Sequence, residues 1–261
     1  MTAIFGTKEW ASSNVNIQSG CPNDCKYCYA KAMAIRHKRK TRENWKKPVI
    51  QMEKVNKGFA KRKGTIMFPT THDITMENLD ECITVLRSML KVGNQMLIVS
   101  KSDPDCILEL CCELEKYREQ ILFRFTMGSA NDDLLQFWEP GAPIFVKRNE
   151  ALKTAYELGY ATSVSCEPML DNRIEGVVEA TLPYVTDAIW IGLPNMLKQR
   201  VSINCGTAEA MERAEKLLAC FTQERINELY ETYKDNPQVK WKESIKKAIG
   251  LDMPDAVGLD I

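Results

Sequence analysis

The chain has 261 residues, 44% hydrophobic and 27% charged, and its 35 Lys and Arg balance 35 Asp and Glu to a formal net charge of zero. This is the composition of an ordinary soluble globular protein with enough length for one large core, and no run of about 18 apolar residues suggests a membrane span. Ten cysteines behind an N-terminus without a hydrophobic leader fit a reducing cytoplasm, where thiols stay free or bind metal.

In chain order, strand-length apolar runs alternate with helical patterns. The strands read as Ser13 to Ile17, Thr65 to Phe68, Met96 to Ser100, Ile121 to Thr126, Ala161 to Cys166 and Ala188 to Leu193. The helices read as Tyr29 to Lys40, Glu77 to Lys91, Pro104 to Arg118, Lys147 to Leu158 and Arg173 to Leu182. In the second of these, apolar positions 79, 82, 83, 86, 89 and 90 keep a three-to-four residue rhythm, so one face packs on a sheet. Gly159 suits a helix C-cap. Cys82, Cys106, Cys111, Cys112 and Cys220 fall in helical segments and read as small buried hydrophobes. Alternating βα units predict a parallel sheet with ligands beyond the carboxyl ends of its strands. A full eight-stranded barrel needs about 250 residues, and after Thr207 only helical patterns follow. The expected fold class is therefore α/β, a partial (β/α)6 TIM-type barrel over residues 1–206 with a helical C-terminal extension over 207–261.

The neutral total hides one asymmetry. Between Lys26 and Lys63 there are fourteen Lys or Arg against two acids, Glu43 and Glu53. Such a run is either a solvated helical face or a surface that attracts phosphates by releasing counterions, and Trp45 and Phe59 within it are candidates for stacking on bases.

The most informative motif is Cys21, Cys25 and Cys28 in C-x3-C-x2-C spacing. Three thiolates on a short loop hold three irons of a cubane cluster and leave the fourth iron open. Zinc prefers four ligands with a second pair a dozen or more residues on, whereas the next candidates are His37 and His72, a poor spacing. A disulfide framework belongs to small secreted domains.

The cysteine spacing, Tyr27 before the last cysteine and the upstream Val15-Asn16-Ile17 resemble the cluster loop of radical S-adenosylmethionine (SAM) enzymes. The usual Gly-Gly-Glu motif is absent. Instead Thr71-His72-Asp73, Ser100-Lys101, Thr126 to Leu134 with Glu139-Pro140-Gly141, and Ser165-Cys166-Glu167-Pro168 resemble the spore photoproduct lyase branch and its phage-associated relatives. The resemblance implies a [4Fe-4S] cluster on the three cysteines and reductive cleavage of S-adenosyl-L-methionine to a 5′-deoxyadenosyl radical. It implies SAM contacts from Tyr27, Thr71, Asp73, Lys101, Thr126, Ser129, Arg148 and Glu167. Lys101 would meet the SAM carboxylate with Arg148 as a second cation, and a lumen-facing Cys166 would return hydrogen to a product radical. For Thr71 and Asp73 the plain alternative is capping of the Glu77 helix, and His72 reads as a structural hydrogen-bonding group. Asn204 and Cys205 are further candidates. The implied partners are an external electron donor such as flavodoxin or ferredoxin and a nucleic acid or nucleotide substrate. The competing readings are an iron–sulfur nucleic-acid-binding protein without radical chemistry and a zinc-stabilised structural module.

Overall fold

The structure, a computed structural model, describes residues 6–254 and 256–258. Seven strands form one wholly parallel sheet: β1 (Ser13–Asn14), β4 (Thr65–Phe68), β5 (Gln95–Ser100), β6 (Ile121–Thr126), β7 (Ala161–Cys166), β8 (Ile189–Ile191) and β9 (Val239–Trp241), side by side in chain order. Because each strand is added on the same side of the last and parallel crossovers are right-handed, the connecting helices fall on one face. The other face is left to curl inward, which makes an open, partial barrel rather than a doubly wound sheet. A two-stranded antiparallel ribbon, β2 (Gln18–Ser19) with β3 (Val49–Ile50), flanks the first crossover.

The outer layer comprises α1 (Tyr29–Arg36), α2 (Met52–Val55), α3 (Leu79–Lys91), α4 (Pro104–Leu114), α5 (Asp132–Trp138), α6 (Phe145–Glu157), α7 (Glu175–Thr181), α8 (Leu197–Asn204), α9 (Ala208–Cys220), α10 (Gln223–Tyr233) and α11 (Glu243–Ile249). The rhythm read in α3 is its buried face: Leu79, Cys82, Ile83, Leu86, Met89 and Leu90 are all inside. Pro104 opens α4 behind Asp103, whose carboxylate accepts the Asp105 N–H at 3.1 Å. The α6 helix ends where expected, with Gly159 at φ +77°.

Strand alternation divides the core in two. Ile66, Phe68, Ile98, Phe123, Phe125 and Val164 join the large cluster beneath the helices, while Met67, Leu97, Ala188 and Trp190 form a second cluster with Trp10 on the opposite, lumen face. Arg124, fully buried there, lies 4.6 Å from the Trp10 ring centroid and 5.5 Å from that of Trp190 and bonds Ser163 Oγ (2.9 Å) and Asp187 (3.0 Å). The bottom of the lumen is thus filled by side chains.

Three expectations change. The first strand is shorter in the sheet, although Val15 still donates to the Met67 carbonyl at 3.0 Å. Cys112 and Cys220 are exposed, since each lies on the solvent side of its helix, whereas Cys82, Cys106 and Cys111 are buried. The stretch after Thr207 is not helical throughout: β9 pairs with β8 and extends the sheet, with Trp241 buried and its ring 5.5 Å from that of Tyr230. Three residues are too few to show a strand period against the helices around them. Trp241→Ala should therefore cost about 3–5 kcal/mol of unfolding free energy, measured by urea denaturation; a loss near zero would mean that the segment only decorates the core.

Candidate functional site

Cys21, Cys25 and Cys28 are free thiols on the loop between β2 and α1, and that loop is fastened from three sides. The Cys21 N–H donates to the Trp45 carbonyl at 3.0 Å, and Cys21 packs with Ala30, Ala34 and Trp45. Gly20 stands at φ +92°, and a Cβ there would lie 2.5 Å from that same carbonyl oxygen, so only glycine permits the approach. On the second side, Lys26 N–H donates to the Trp138 carbonyl (2.8 Å) and Gly141 N–H to the Asn23 carbonyl (3.1 Å). On the third, Asn204 of α8 donates to the carbonyls of Lys26 and Cys28, both at 2.9 Å. Cys28 caps α1, its Sγ accepting the Lys31 N–H at 3.4 Å.

The loop meets the sheet through Asp73. This buried carboxylate accepts Asn23 Nδ2 (2.6 Å), the Ile74 N–H (2.9 Å), the Lys101 N–H (3.1 and 3.2 Å to its two oxygens) and the Ser100 hydroxyl. Four donors use a carboxylate's capacity, so Asp73 is engaged within the protein in this structure. It does not cap a helix: Thr75 and Asn78 form that capping box. Thr71 gives its backbone N–H to Asn16 Oδ1 at 2.9 Å and stays half-buried at the mouth beyond β4. His72 is structural as expected. Its Nε2 accepts the Ile17 N–H (3.2 Å), so the proton sits on Nδ1, 3.0 Å from the Asp73 carbonyl.

A second buried network lies against Cys25. Glu139 takes the Tyr27 hydroxyl and the Arg148 guanidinium, with Lys101 Nζ 3.9 Å away. Burial opposes charge on Glu139, but Arg148, Lys101 and the Tyr27 hydroxyl together hold it below the usual carboxylate range. Burial, Glu139 and Cys25 push the Tyr27 phenol up, keeping it a neutral donor. Arg148 also donates to the carbonyls of Pro143 (2.7 Å) and Thr126 (3.0 Å) and is fully buried. Tyr27 and Arg148 therefore brace Glu139 in this structure.

Ser129, likewise fully buried, donates to Asp171 in the loop after β7 (3.1 Å) and accepts the Asn131 N–H of its own loop (2.9 Å). Cys166 belongs to the large cluster beneath the helices along with Val164, while Ser163 and Ser165 alternate to the other face. A thiol pointing away from the lumen returns no hydrogen atom to a radical inside it. Thr126 stays at the lumen end of β6. Asn204 clamps the cysteine loop, and Cys205 bonds back to the Val201 carbonyl at 3.4 Å.

Glu167 lies across the mouth, in a group that sequence reasoning missed. Fully buried Lys242 stands 2.9 Å from Glu9, 3.6 Å from Glu167 and 3.8 Å from Glu243. Burial and a shared proton with Glu243 push Glu9 up to about 8, and burial raises Glu167. Arg200, one turn before Asn204 on α8, is half-buried within electrostatic reach of Cys28, Glu167 and Tyr29 and has no polar side-chain partner among the described residues. Burial lowers its pKa. Nothing local in the sequence marks Arg200 or Lys242; both reach the mouth only because α8 and β9 fold back onto it.

The three thiols are ordinary in number and unusual in surroundings. Burial, then the charges of Asp73 and Cys28, push Cys21 up to about 12; burial raises Cys25 and Cys28 as well. Lys101 acts on all three in the opposite sense, and its own pKa is raised, against burial, by Cys25, Glu139 and Asp73. Buried thiols of this kind ionise when a metal replaces their protons. Among the described residues no three His, Cys, Asp or Glu side chains come close enough to hold one ion. A cubane instead takes its thiolates at separate corners, and three thiols on one loop with a cation beside them fit it.

No family model matches this chain, and no curated protein matches its sequence. Solved structures do. A spore photoproduct lyase variant with a dinucleoside spore photoproduct aligns over 92% of this chain and 79% of its own, at 12% identity and a TM-score of 0.55. Another lyase variant, with bound S-adenosylmethionine and the same dinucleoside, aligns at 15% identity and a TM-score of 0.52. Streptococcus suis SuiB bound to S-adenosylmethionine aligns over 94% of this chain at 13% identity and a TM-score of 0.54; the chain spans 54% of that protein. The chain shares the fold of these structures, an open partial barrel. In it the cysteine loop, Lys101 and Glu167 stand at the carboxyl ends of the strands, where parallel barrels bind ligands.

Two outcomes follow from this geometry. Arg148→Ala removes the nearest cation from buried Glu139, leaving only Tyr27 and the more distant Lys101, and should cost about 3 kcal/mol by chemical denaturation, while an effect near zero would contradict the brace. For His72, burial lowers the folded pKa below the ordinary 6.5. Its contribution is thus complete above the unfolded value and is lost as pH falls through the folded one. The stability difference between wild type and His72→Gln should shrink on going from about pH 7.5 to about pH 5.5; a constant difference would refute the buried neutral ring.

Proposed function

We propose that this protein is a radical SAM enzyme, with Cys21, Cys25 and Cys28 as ligands of a [4Fe-4S] cluster and the adjoining barrel mouth as the S-adenosylmethionine site. The observation that carries this reading is the meeting of three free thiols, two buried and one half-buried, and the Lys101 ammonium on a sheet of this fold. When bound, the cluster supplies the electron that cleaves S-adenosylmethionine reductively to a 5′-deoxyadenosyl radical, which takes a hydrogen atom from the substrate.

The chain's own residues bind and orient. Lys101 is the cation for the SAM carboxylate, held in its charged form by the anions around it. Its backbone is fixed by Asp73, and Glu139 limits the travel of its ammonium. Thr71, Thr126 and Glu167, at the ends of three different strands, offer hydroxyls and a carboxylate for the methionyl amino group and ribose. The substrate in this reading is a nucleic acid or nucleotide. Support comes from the dinucleoside bound by the lyase neighbours and from Arg200, a guanidinium with no side-chain partner that suits a phosphate. A neighbour that binds a precursor peptide makes a peptide the second class to test. An external one-electron donor completes the system.

Anaerobic reconstitution should give about four irons per chain and the charge-transfer absorption of a cubane. Alanine at any one of Cys21, Cys25 or Cys28 should abolish both. With dithionite and S-adenosylmethionine the reconstituted protein should release 5′-deoxyadenosine. A cluster that forms without that product would favour an iron–sulfur binding protein without radical chemistry, and zinc in place of iron would remove the proposal.

A further inference from the structure

We propose that Lys242, at the end of the C-terminal strand β9, is a positioning residue: with Gly192 beside it and Glu9 as counter-anion, it holds the Glu167 carboxylate at the barrel mouth, ionised and oriented to accept from the ammonium of a bound ligand. The inference rests on the reading of the mouth as the S-adenosylmethionine site, and it adds to that site a residue from outside the six βα units.

The polar groups of the mouth do not come from the basic run alone. Trp45 is buried and Phe59 is half-buried against the core, which corrects the expectation that either stacks on bases. Across the mouth, Lys242 has no exposed surface, and a lysine so enclosed persists only when it is paired. Its ammonium donates to the Gly6 carbonyl at 3.0 Å and stands 2.9 Å from Glu9, 3.6 Å from Glu167 and 3.8 Å from Glu243. It also lies over the Trp10 ring, 4.1 Å from the centroid. The backbone is fixed as well: the Lys242 N–H continues the pairing of β9 with β8 by donating to the Ile191 carbonyl at 2.9 Å, and Ser244 Oγ accepts the Leu193 N–H at 2.9 Å.

Of the three carboxylates around this ammonium, Glu167 is the one turned toward the mouth. Its side chain keeps 20% exposure, against 1% for Glu9 and 8% for Glu243. Neutralising Lys242 takes only one carboxylate, so the third has another use. Gly192 stands where Glu167 and Lys242 approach each other. A Cβ there would fall 2.9 Å from Lys242 Cβ and 3.1 Å from Glu167 Cγ, so a larger residue drives the two apart. The charges facing Glu167 come from every element packed on it, Lys242 and Glu243 from the end of β9 and the start of α11, and Arg200 from α8. Burial and Glu243 raise the Glu167 pKa, while Lys242 and Arg200 lower it. Glu9, pushed up to about 8 by burial and by the proton it shares with Glu243, keeps the group from carrying three negative charges.

The test measures S-adenosylmethionine affinity of the reconstituted full-length protein by anaerobic calorimetry between about pH 6.5 and about pH 8.5. Alongside it, NMR follows the titration of isotope-labelled glutamate carboxyls, the Glu167 signal being the one lost in Glu167→Gln. Lys242→Met should bind at least about tenfold more weakly at the acid end, the gap should narrow as pH rises, and Glu167 should titrate at higher pH than in wild type. Lys242→Arg should recover most of the affinity, and Gly192→Ala should lose it with the same pH dependence. If Lys242→Met fails to fold, the double variant Lys242→Met, Glu9→Gln removes one of the stranded carboxylates and takes its place. Affinity unchanged without Lys242 overturns the proposal. So does an affinity reduced equally at every pH, which is what lost packing alone would give. If wild type binds no S-adenosylmethionine, the reading of the mouth fails and the carboxyl titration decides the role of Lys242 by itself: a Glu167 that titrates at higher pH without the lysine upholds it, and an unchanged one overturns it.

Discussion

One buried carboxylate holds the site in register with the fold. Asp73 receives donors from the cysteine loop through Asn23, from its own strand end through Ile74, and from the end of β5 through Ser100 and Lys101. A charge so enclosed is tolerable only because every lone pair is met. The same bonds fix three elements distant in sequence, so the positions of the thiols and of Lys101 are set by one group. Losing it would leave buried donors facing one another with no acceptor.

Around this joint the site balances its charges in layers. Glu139 is enclosed by Arg148, Tyr27 and Lys101 on the Cys25 side, and Glu9, Glu167 and Glu243 gather around Lys242 across the mouth. The first network is closed: Arg148 has no exposed surface and spends its nitrogens on Glu139 and two backbone carbonyls. Lys101, at 17% side-chain exposure, and half-buried Arg200 are the cations that still face open space. Lys101 divides its charge between Glu139 and the thiols of the cysteine loop, and Arg200 lies within electrostatic reach of Cys28 and Glu167. The two cations thus stand on opposite sides of the cysteine loop, each set against carboxylates of the fold.

The sequence displays the elements whose physics is local. The α3 rhythm, the Asp103-Pro104 start of α4 and the Gly159 stop depend on neighbouring residues and appear where read. The cysteine spacing is local as well, and so is its resemblance to a cluster loop. What could not be read is which polar groups the fold uses up internally. Tyr27, Asp73, Ser129 and Arg148 are of the right chemical type at the right strand ends, yet each is committed to a partner between 9 and 112 positions away. Arg200 and Lys242 have the opposite history, unremarkable in sequence and brought to the mouth by α8 and β9. The direction of Cys166 depends on a strand register that alternation alone leaves two-valued.

The division of the sheet's two faces limits where chemistry can occur. The lumen bottom is occupied by Trp10, Trp190 and Arg124, with indole rings in edge-to-face contact at 5.8 Å and the guanidinium above them. A ligand is therefore confined to the upper layer, among Thr126, Ser165, Lys101 and Glu167. The only thiols of that region among the described residues are those of the cysteine loop and half-buried Cys205, because Cys166 is turned into the helix layer. The groups that β7 gives to the lumen are thus the Ser163 and Ser165 hydroxyls, while its thiol is spent on the packing between sheet and helices.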